Sequence, residues 1–564
     1  MKNILSNYLY LFFISFAVTV LTNPSVVYSS PIQQAAIATA HPIATRAGQQ
    51  ILEQGGNAFD AAVAISATLA VVEPFSSGIG GGGFWLLQDV KSKKTIMIDG
   101  REKAPLAANE TMYQDKQGNV IRGLSINGAL AAGIPGEPAA LVHIAERYGR
   151  LPLSQSLSPA IQAAKKGFRV TPMYRRMVRF RLKALRRSPA AAKVFLYRNK
   201  IPRRGYLIKQ ADLAKTLQAI AAQGHAGFYQ GEVAKALVNG TRAARGIWSL
   251  KDLATYQVKE RQPIIGQYKN YKIISAAPPS SGGIALVTML NILEQYDLDK
   301  MQPAQRMHLV VEAMRRAYRD RAEFLGDSDF ISIPFKQLTS KPYAKELANT
   351  ISLKQATPSS ALKTAVPVPQ GQHTTHFSVV DNEGNKVSAT LSINYPFGSA
   401  FMPPGTGVLL NDEMDDFSSK PGAPNVYGLV GNKNNAIEAG KRMLSSMSPT
   451  IIENINNSDY AVIGTPGGSR IITMVLHGIL GFTAGHSAKA IVSAPRYHHQ
   501  YLPDLLQIEK KTITRRVRKN LILMQHTLKE LNGQYGNMQL VISKNNKINA
   551  ASDPRGEGLA LIIK

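Results

Sequence analysis

Two adjacent threonines, Thr374 and Thr375, are the residues whose placement in this sequence most suggests unusual chemistry. They open the stretch TTHFSVVDNEGNKVSATLSIN, which follows a polar segment containing Pro and Ser, Leu353–His373. That segment lacks apolar periodicity, which predicts an exposed, flexible connector. If the bond between His373 and Thr374 were cut, Thr374 would gain a free α-amine with a pKa of about 8. Such an amine can take the proton of the threonine hydroxyl and make it a nucleophile without a histidine.

Thr375 is the competing nucleophile, and an ordinary strand start is the simpler alternative for both residues. Neighbouring side chains on a strand point to opposite faces, so only one of the two threonines can face a given site. β-Branched residues are also common in strands that do no chemistry. The spacing alone leaves the choice open.

The same stretch predicts a β-hairpin in which the turn residues DNEG, 381–384, join two β-rich runs. Pairing the first turn residue with the last sets Thr374 opposite Leu391 and next to Ser392. One bulge would set it opposite Ser392 itself. A hydroxyl residue and, two places further on, Asn394 are therefore expected close to Thr374.

Helices and strands on both sides of the connector would have to position this hairpin. Residues 41–74 predict two helices, because Gly55-Gly56 is typical of a helix end and Pro74 of a stop. A glycine loop, GIGGGGF, then leads into a strand; this order excludes a nucleotide-binding fingerprint, which needs strand, loop and helix. Residues 135–334 predict mainly helices. Beyond the connector we predict strands at Phe377–Asp381, Lys386–Ile393 and Tyr460–Gly464, and a helix after Gly468.

The N-terminus and the composition indicate an exported globular protein. Lys2, the apolar run Tyr8–Leu21 and a small-residue cleavage site at Val27-Tyr28-Ser29 predict a signal peptide over residues 1–29. An uncleaved anchor is the alternative, but the apolar run is short for a bilayer. The chain of 564 residues has no cysteine, which excludes thiolate chemistry and Cys-ligated metals. We expect a periplasmic or secreted bacterial protein.

The net charge of +29 is large, and two blocks carry much of it: Tyr174–Arg204, which contains no acid, and Lys510–Lys519. Nucleic-acid binding is one interpretation. No nucleic-acid recognition motif accompanies the charge, however, and export argues against genomic DNA. Loose attraction to an anionic envelope is the favoured interpretation.

Eight blocks of the sequence resemble the γ-glutamyltransferase (glutathione hydrolase) family, in family order. They are GGNAFDAAVA, GIGGGGF, DGREKAP, TTHFSVVD, NDEMDDF, KPGAPNVYGLVG, LSSMSPT and GTPGGSRII. The resemblance implies an α/β (α+β) protein with the four-layer αββα fold of N-terminal-nucleophile hydrolases. It also implies a precursor that cuts itself before Thr374, giving a large subunit, residues 30–373, and a small subunit, residues 374–564.

The resemblance further implies a role for each matching residue. Thr374 is the nucleophile, Ser392 stands where relatives usually have threonine, and Asn394 binds the freed amine or the substrate. The backbone N–H groups of Gly467 and Gly468 form an oxyanion hole. The implied substrate-binding residues are Arg101, Ser445 and Ser446 for the α-carboxylate, Glu413 and Asp416 for the α-ammonium, and Asn394, Tyr427, Gly467 and Gly468 around the bound group.

Tyr427 resembles a lid-loop tyrosine, with a packed loop aromatic as the alternative. No cofactor is implied. His498-His499 does not suggest a metal site, because neighbouring strand residues point apart and no third ligand is evident. The implied partners are glutathione and other γ-glutamyl compounds, with water, amino acids or peptides as acceptors.

Two rivals remain at the level of sequence. One is a related acylase or poly-γ-glutamate processing enzyme; Asp416 argues for γ-glutamyl donors, since a substrate without the amine would leave its charge unpaired. The other is an unprocessed, basic envelope-binding protein that keeps the fold without catalysis. The first would differ in substrate and the second in remaining one uncut chain.

Overall fold

The computed structural model describes residues 34–121, 123–362, 374–420, 422, 425–429 and 431–563. The predicted signal peptide, Arg122, residues 363–373 of the predicted connector and four positions of the segment 421–430 lie outside these ranges. None of the helices in the described ranges is long and apolar enough to cross a bilayer.

The described helices and strands alternate along the chain. The helices are α1 (Pro42–Glu53), α2 (Ala58–Val72), α3 (Glu137–Tyr148), α4 (Leu153–Lys166), α5 (Pro172–Leu185), α6 (Pro189–Phe195), α7 (Ala211–Gln223), α8 (Ala226–Tyr229), α9 (Gly231–Ala243), α10 (Leu250–Ala254), α11 (Gly282–Leu293), α12 (Pro303–Phe324), α13 (Phe335–Leu338), α14 (Lys341–Asn349), α15 (Ile471–Thr483), α16 (Ala488–Ser493) and α17 (Arg515–Leu523). The strands are β1 (Ala35–Thr39), β2 (Gly82–Asp89), β3 (Lys94–Gly100), β4 (Phe168–Arg169), β5 (Leu207–Ile208), β6 (Lys259–Arg261), β7 (Ile264–Tyr268), β8 (Tyr271–Ser275), β9 (Thr375–Val380), β10 (Lys386–Ser392), β11 (Thr450–Asn454), β12 (Tyr460–Gly464), β13 (Tyr497–His498), β14 (Leu506–Ile508), β15 (Leu528–Glu530), β16 (Gln539–Lys544), β17 (Lys547–Ser552) and β18 (Leu559–Ile563).

Two large sheets stack face to face between two layers of helices. The first has the strand order β18-β1-β9-β10-β2-β3-β6, and the second β17-β16-β12-β11-β8-β7. Trp85 and Leu87 of β2 face a core shared with α1–α4, whereas Phe84 and Leu86 face the second sheet. That alternation is what a strand with both faces buried requires. Helices α11, α15 and α16 cover the outer face of the second sheet, so the predicted αββα layering is confirmed.

Both sheets mix strands from the two sides of position 374. Strand β9, which begins one residue after Thr374, lies between β1 and β10, and β8 pairs with β11. Because these ladders and the two buried cores tie the halves of the chain together, a break before Thr374 would leave each sheet's pairing intact.

The two predicted N-terminal helices are confirmed, with local chemistry that explains their ends. Helix α1 ends at Glu53, and Gly55 follows in the left-handed region with φ of 90°. Helix α2 begins after Asn57, whose side chain accepts from the N–H of Asp60 while the Asp60 carboxylate accepts from the N–H of Asn57. This capping box fixes the helix start.

The hairpin is confirmed, but the simple register count is wrong by one residue. Leu391 lies opposite Thr375, which continues to Thr374 opposite Ser392, as the bulged alternative predicted. The cause is a three-residue loop in which the Asp381 carboxylate accepts from the N–H of Asn385 at 2.9 Å. Gly384 takes φ of 91°, the left-handed conformation that this loop needs.

Two further expectations gain detail from the structure. Residues 135–334 are mainly helical, as predicted, but also contain the strands β4 to β8, of which β7 and β8 belong to the second sheet. Most of the connector residues 353–362 are exposed, but Ser359 is buried and its hydroxyl donates to the Tyr501 carbonyl at 2.6 Å. This side-chain bond holds the segment on the protein because a buried hydroxyl needs a partner.

Candidate active site

Thr374 directly precedes β9 and lines two cavities. It is 6% exposed. Thr375 is directed elsewhere: its hydroxyl donates to Glu73 Oε2 at 2.8 Å. The strand's alternation therefore separates the two threonines, with Thr374 at the cavities and Thr375 tied to the end of α2.

Ser392 and Asn394 lie across from Thr374 at the end of β10. The Asn394 N–H donates to the Ser392 hydroxyl at 2.8 Å, and Asn394 Nδ2 donates to the Asp412 carbonyl at 2.9 Å. Asn394 adopts φ of 71°, which asparagine tolerates better than most residues. These bonds fix both side chains beside Thr374 in the smaller cavity.

Gly467 and Gly468 form the turn between β12 and a short 3₁₀ helix, Gly468–Arg470, that runs into α15. Their φ angles are 151° and 56°, so both occupy backbone conformations that favour glycine. A Cβ on Gly468 would lie 2.5 Å from the Tyr427 ring. Backbone N–H groups at a helix start are well placed to bind negative charge, and both glycines border a cavity that Thr374 lines.

A buried charged cluster forms the far end of the smaller cavity. The Arg101 guanidinium lies 2.7 Å from Glu413 Oε2, 2.6 Å from Asp416 Oδ2 and 3.4 Å from Glu102 Oε2. Burial raises the pKa of Glu413 to about 7 although Arg101 opposes it. Burial also opposes the charge on Arg101, yet the surrounding carboxylates raise its pKa overall. Burial also raises the pKa of Glu102 well above its usual range, so Glu413 and Asp416 are the two acids that line the cavity and can receive an added cation.

Ser445 and Ser446 lie on the segment that leads into β11 and border the same cavity. The Ser445 hydroxyl accepts from the Met447 N–H at 3.1 Å. The buried Ser446 hydroxyl has no hydrogen-bond partner among the described residues. A buried hydroxyl without a partner is costly, and it is available to a ligand in this cavity.

Tyr427 closes the smaller cavity over Gly468. Its hydroxyl donates to the Asn394 carbonyl at 2.7 Å, and the residue is 4% exposed. The volume left is about 20 Å³, enough for about one water molecule. A ligand group larger than one water molecule therefore requires Tyr427 to move.

The larger cavity, about 270 Å³, is also lined by Thr374. Its lining includes Glu73, Arg176, Gly467 and Tyr535. Burial raises the pKa of Glu73 to about 7, and its bond from Thr375 opposes that shift.

The sequence analysis did not find Glu73, Glu102 or Asn425. Asn425 positions the site: its Nδ2 donates to Asp416 Oδ1 at 3.0 Å, and its Oδ1 accepts from the Tyr427 N–H at 2.9 Å. Glu102 could have been suspected, since it follows Arg101 directly in DGREKAP.

His498 and His499 point in different directions, as expected on a strand. His498 contacts Thr473 and Gln500, whereas His499 contacts Asp504. Among the described residues, no group of three or more His, Asp or Glu side chains is placed to bind a metal ion.

Comparison with known proteins decides the family. The profile of the gamma-glutamyltranspeptidase family matches residues 44–563. The chain belongs to the γ-glutamyltranspeptidase family. It is 44% identical over 477 residues to the glutathione hydrolase proenzyme of Pseudomonas sp. (strain A14), covering 84% of this chain and 83% of that relative.

Two solved structures extend the family assignment to the fold. Cephalosporin acylase from Bacillus halodurans aligns with a TM-score of 0.82 at 25% identity, over 94% of this chain and 96% of that one. The γ-glutamyltranspeptidase of Helicobacter pylori aligns with a TM-score of 0.56 at 42% identity, over 57% of this chain and 93% of that one. The resemblance and the fold class predicted from the sequence are confirmed.

Proposed function

We propose that this γ-glutamyltranspeptidase family member hydrolyses γ-glutamyl amides such as glutathione and transfers the γ-glutamyl group to water, amino acids or peptides. The observation that carries the proposal is the joint lining of one cavity by Thr374, by Gly468 of the glycine turn, and by the carboxylates of Glu413 and Asp416 with the guanidinium of Arg101. A γ-glutamyl donor carries an amide, an ammonium and a carboxylate on one short chain, so this lining offers a partner for each group.

The first step is self-cleavage. The Thr374 hydroxyl attacks the preceding carbonyl carbon, the peptide nitrogen leaves as the α-amine of Thr374, and water hydrolyses the resulting ester. The products are the fragments 30–373 and 374–564, which stay together as a heterodimer. The interleaving of strands from both fragments in each sheet supports their staying together.

The second step is acyl transfer in a ping-pong sequence. The α-amine of Thr374 takes the hydroxyl proton as the oxygen attacks the γ-amide carbon. The N–H groups of Gly467 and Gly468 stabilise the oxyanion, a contribution of roughly 3 kcal/mol per donor in comparable sites. The leaving amine takes the proton from the α-ammonium, and water or an acceptor amine then attacks the ester by the reverse proton path. Ser392 and Asn394 hold the nucleophile and the substrate in position.

The charged cluster selects the donor. Glu413 and Asp416 bind the substrate ammonium, while Arg101 with Ser445 and Ser446 binds its carboxylate. Tyr427 swings away to admit the glutamyl group and then covers it, since the closed cavity holds about one water. The predicted signal peptide supports export to a periplasm or the medium. There, the exposed basic residues of α17 would support loose attraction to an anionic envelope.

Two anilides that differ only in the α-amino group test the proposal. The enzyme should turn over the γ-glutamyl anilide with a kcat/KM at least about 100-fold above that of the glutaryl anilide, because the glutaryl group leaves buried acids unpaired. Asp416→Asn should reduce this ratio, whereas Asp415→Asn, next to it in the sequence, is the matched control. Equal turnover of the two anilides, or a preference for the glutaryl anilide, would instead indicate an acylase.

A further inference from the structure

The basic block of the sequence forms a stripe that begins at the nucleophile's larger cavity. Helix α5 and the residues just after it carry Arg176, Arg179, Lys183 and Arg187, all exposed. Arg176, Arg179 and Lys183 lie on one face of α5, because they are spaced by three and four residues, and Arg187 lies in the turn two residues beyond the last residue of the helix. We call them the α5 stripe. Arg176, its first member, lines the cavity of about 270 Å³ that Thr374 also lines.

The charges of the α5 stripe are uncompensated. None of its four members forms an ion pair with any of the residues in the described ranges. The opposite face of the helix is apolar and buried, with Tyr174, Met177, Val178 and Leu185 in the core. Packing against the core therefore explains the apolar face of α5. It does not explain the four exposed cations of the α5 stripe.

We propose that the α5 stripe and the larger cavity bind the part of the substrate beyond the amide bond being cleaved or formed, and select extended chains carrying several carboxylates. The inference rests on the proposed function and deepens it, since it names the class of leaving group or acceptor. A substrate held by the charged cluster has its γ-amide at Thr374, so the rest of the molecule leaves through the cavity on the other side.

The dimensions fit a short acidic peptide. From Arg176 to Lys183 the helical part of the stripe extends about 10 Å at 1.5 Å per residue. An extended peptide covers that length with about three residues. Acidic groups inside the cavity, Glu73 and Glu557, oppose a carboxylate there, so the preference should arise from the residues of the chain that lie along the stripe.

Exposed charges mainly raise the rate of productive encounter, and salt screens them. The effect should therefore appear in kcat/KM at low ionic strength. It should fade in about 0.5 M NaCl, where the Debye length falls to roughly 4 Å.

Two matched peptides and two matched variants test the proposal. The substrates are a γ-glutamyl group on three glutamates and the same group on three glutamines. The variants are Arg179→Gln/Lys183→Gln/Arg187→Gln on the stripe and Arg515→Gln/Arg516→Gln/Lys519→Gln on α17, where the three side chains are also exposed. Both remove three positive charges, so net charge is controlled.

The wild type should favour the glutamate peptide about tenfold in kcat/KM at low salt, and the stripe variant should lose most of that preference. The α17 variant should keep it. Turnover of the glutamine peptide reports folded enzyme in every preparation, and its loss in the wild type would count against the proposed function rather than the stripe. An unchanged preference in the stripe variant, or an equal loss in both variants, would overturn the proposal. The proposal would also be overturned if the stripe variant lost binding to phosphatidylserine vesicles but kept its preference for the glutamate peptide. That result would assign the stripe to binding a membrane surface.

Discussion

The two cavities that Thr374 lines differ in volume and in charge. The smaller one, about 20 Å³, is lined by Tyr427 and by Arg101 with its ion partners Glu413 and Asp416. The larger one, about 270 Å³, is lined by Arg176, which forms no ion pair among the described residues. Buried charges discriminate strongly because an unmatched partner is costly, whereas exposed charges act weakly and over a distance. The first cavity is therefore suited to recognising one chemical group strictly, and the second to a weaker preference based on charge.

Replacing the arginine that lines each cavity should give the largest difference between the two cavities, measured as a change in the free energy of unfolding. Arg101→Met leaves the acids around it, Glu102, Glu413 and Asp416, without their cation and should lower the free energy of unfolding by about 3 kcal/mol at neutral pH. Arg176→Met should change it by less than about 0.5 kcal/mol. Urea unfolding of both variants measures the difference. Equal stabilities would mean that the cluster around Arg101 is solvated and not a rigid binding site.

A pH series on Glu73→Gln tests the one buried acid of the larger cavity. Burial raises the pKa of Glu73 from 4.5 to about 7, so the folded protein holds this proton more tightly than the unfolded chain. Ionisation between pH 4.5 and 7 therefore costs stability, up to about 3 kcal/mol above pH 7. Glutamine does not ionise and still accepts from Thr375. The variant should gain stability relative to the wild type from pH 5 to pH 8; a difference that stays constant with pH would contradict the buried acid.

An effect smaller than those of Arg101→Met and Glu73→Gln should come from Tyr427→Phe. The ring still packs over Gly468, but the hydrogen bond to the Asn394 carbonyl is lost, which is worth about 1 kcal/mol. The KM for the γ-glutamyl donor should rise about fivefold, and the KM for the acceptor should stay unchanged, because the acceptor enters by the larger cavity. Steady-state kinetics with both substrates varied would measure the donor KM and the acceptor KM separately. A change in the acceptor KM alone would mean that Tyr427 acts on the larger cavity and would contradict this account.

The sequence predicted local features well and long-range ones only where a motif carried them. The ends of α1 and α2 followed from Gly55 and Pro74, because helix ends depend on a few neighbouring residues. The hairpin register failed by one residue, since the turn type depends on the Asp381 side chain. Strands β7 and β8 were missed although PIIGQYKNYKIIS alternates around a turn, because the surrounding helical pattern outweighed it.

The candidate site could be predicted residue by residue only through the family resemblance. Arg101 and Asp416 are 315 positions apart and meet at 2.6 Å; no periodicity connects them. Glu73 could not be found at all. It ends a buried helix and carries no motif of its own, and its partner Thr375 is known only once the strand's facing is known.

The central claim, that residue 374 becomes a chain terminus and acts as the nucleophile, is tested most directly by the masses and N-terminal sequences of the purified chains. The wild type should yield a small subunit beginning TTHFS, Thr375→Val the same cut site, and Thr374→Ala one uncut, inactive chain. A fully active preparation that consists of one intact polypeptide, or whose small fragment begins at Thr375, would contradict the account.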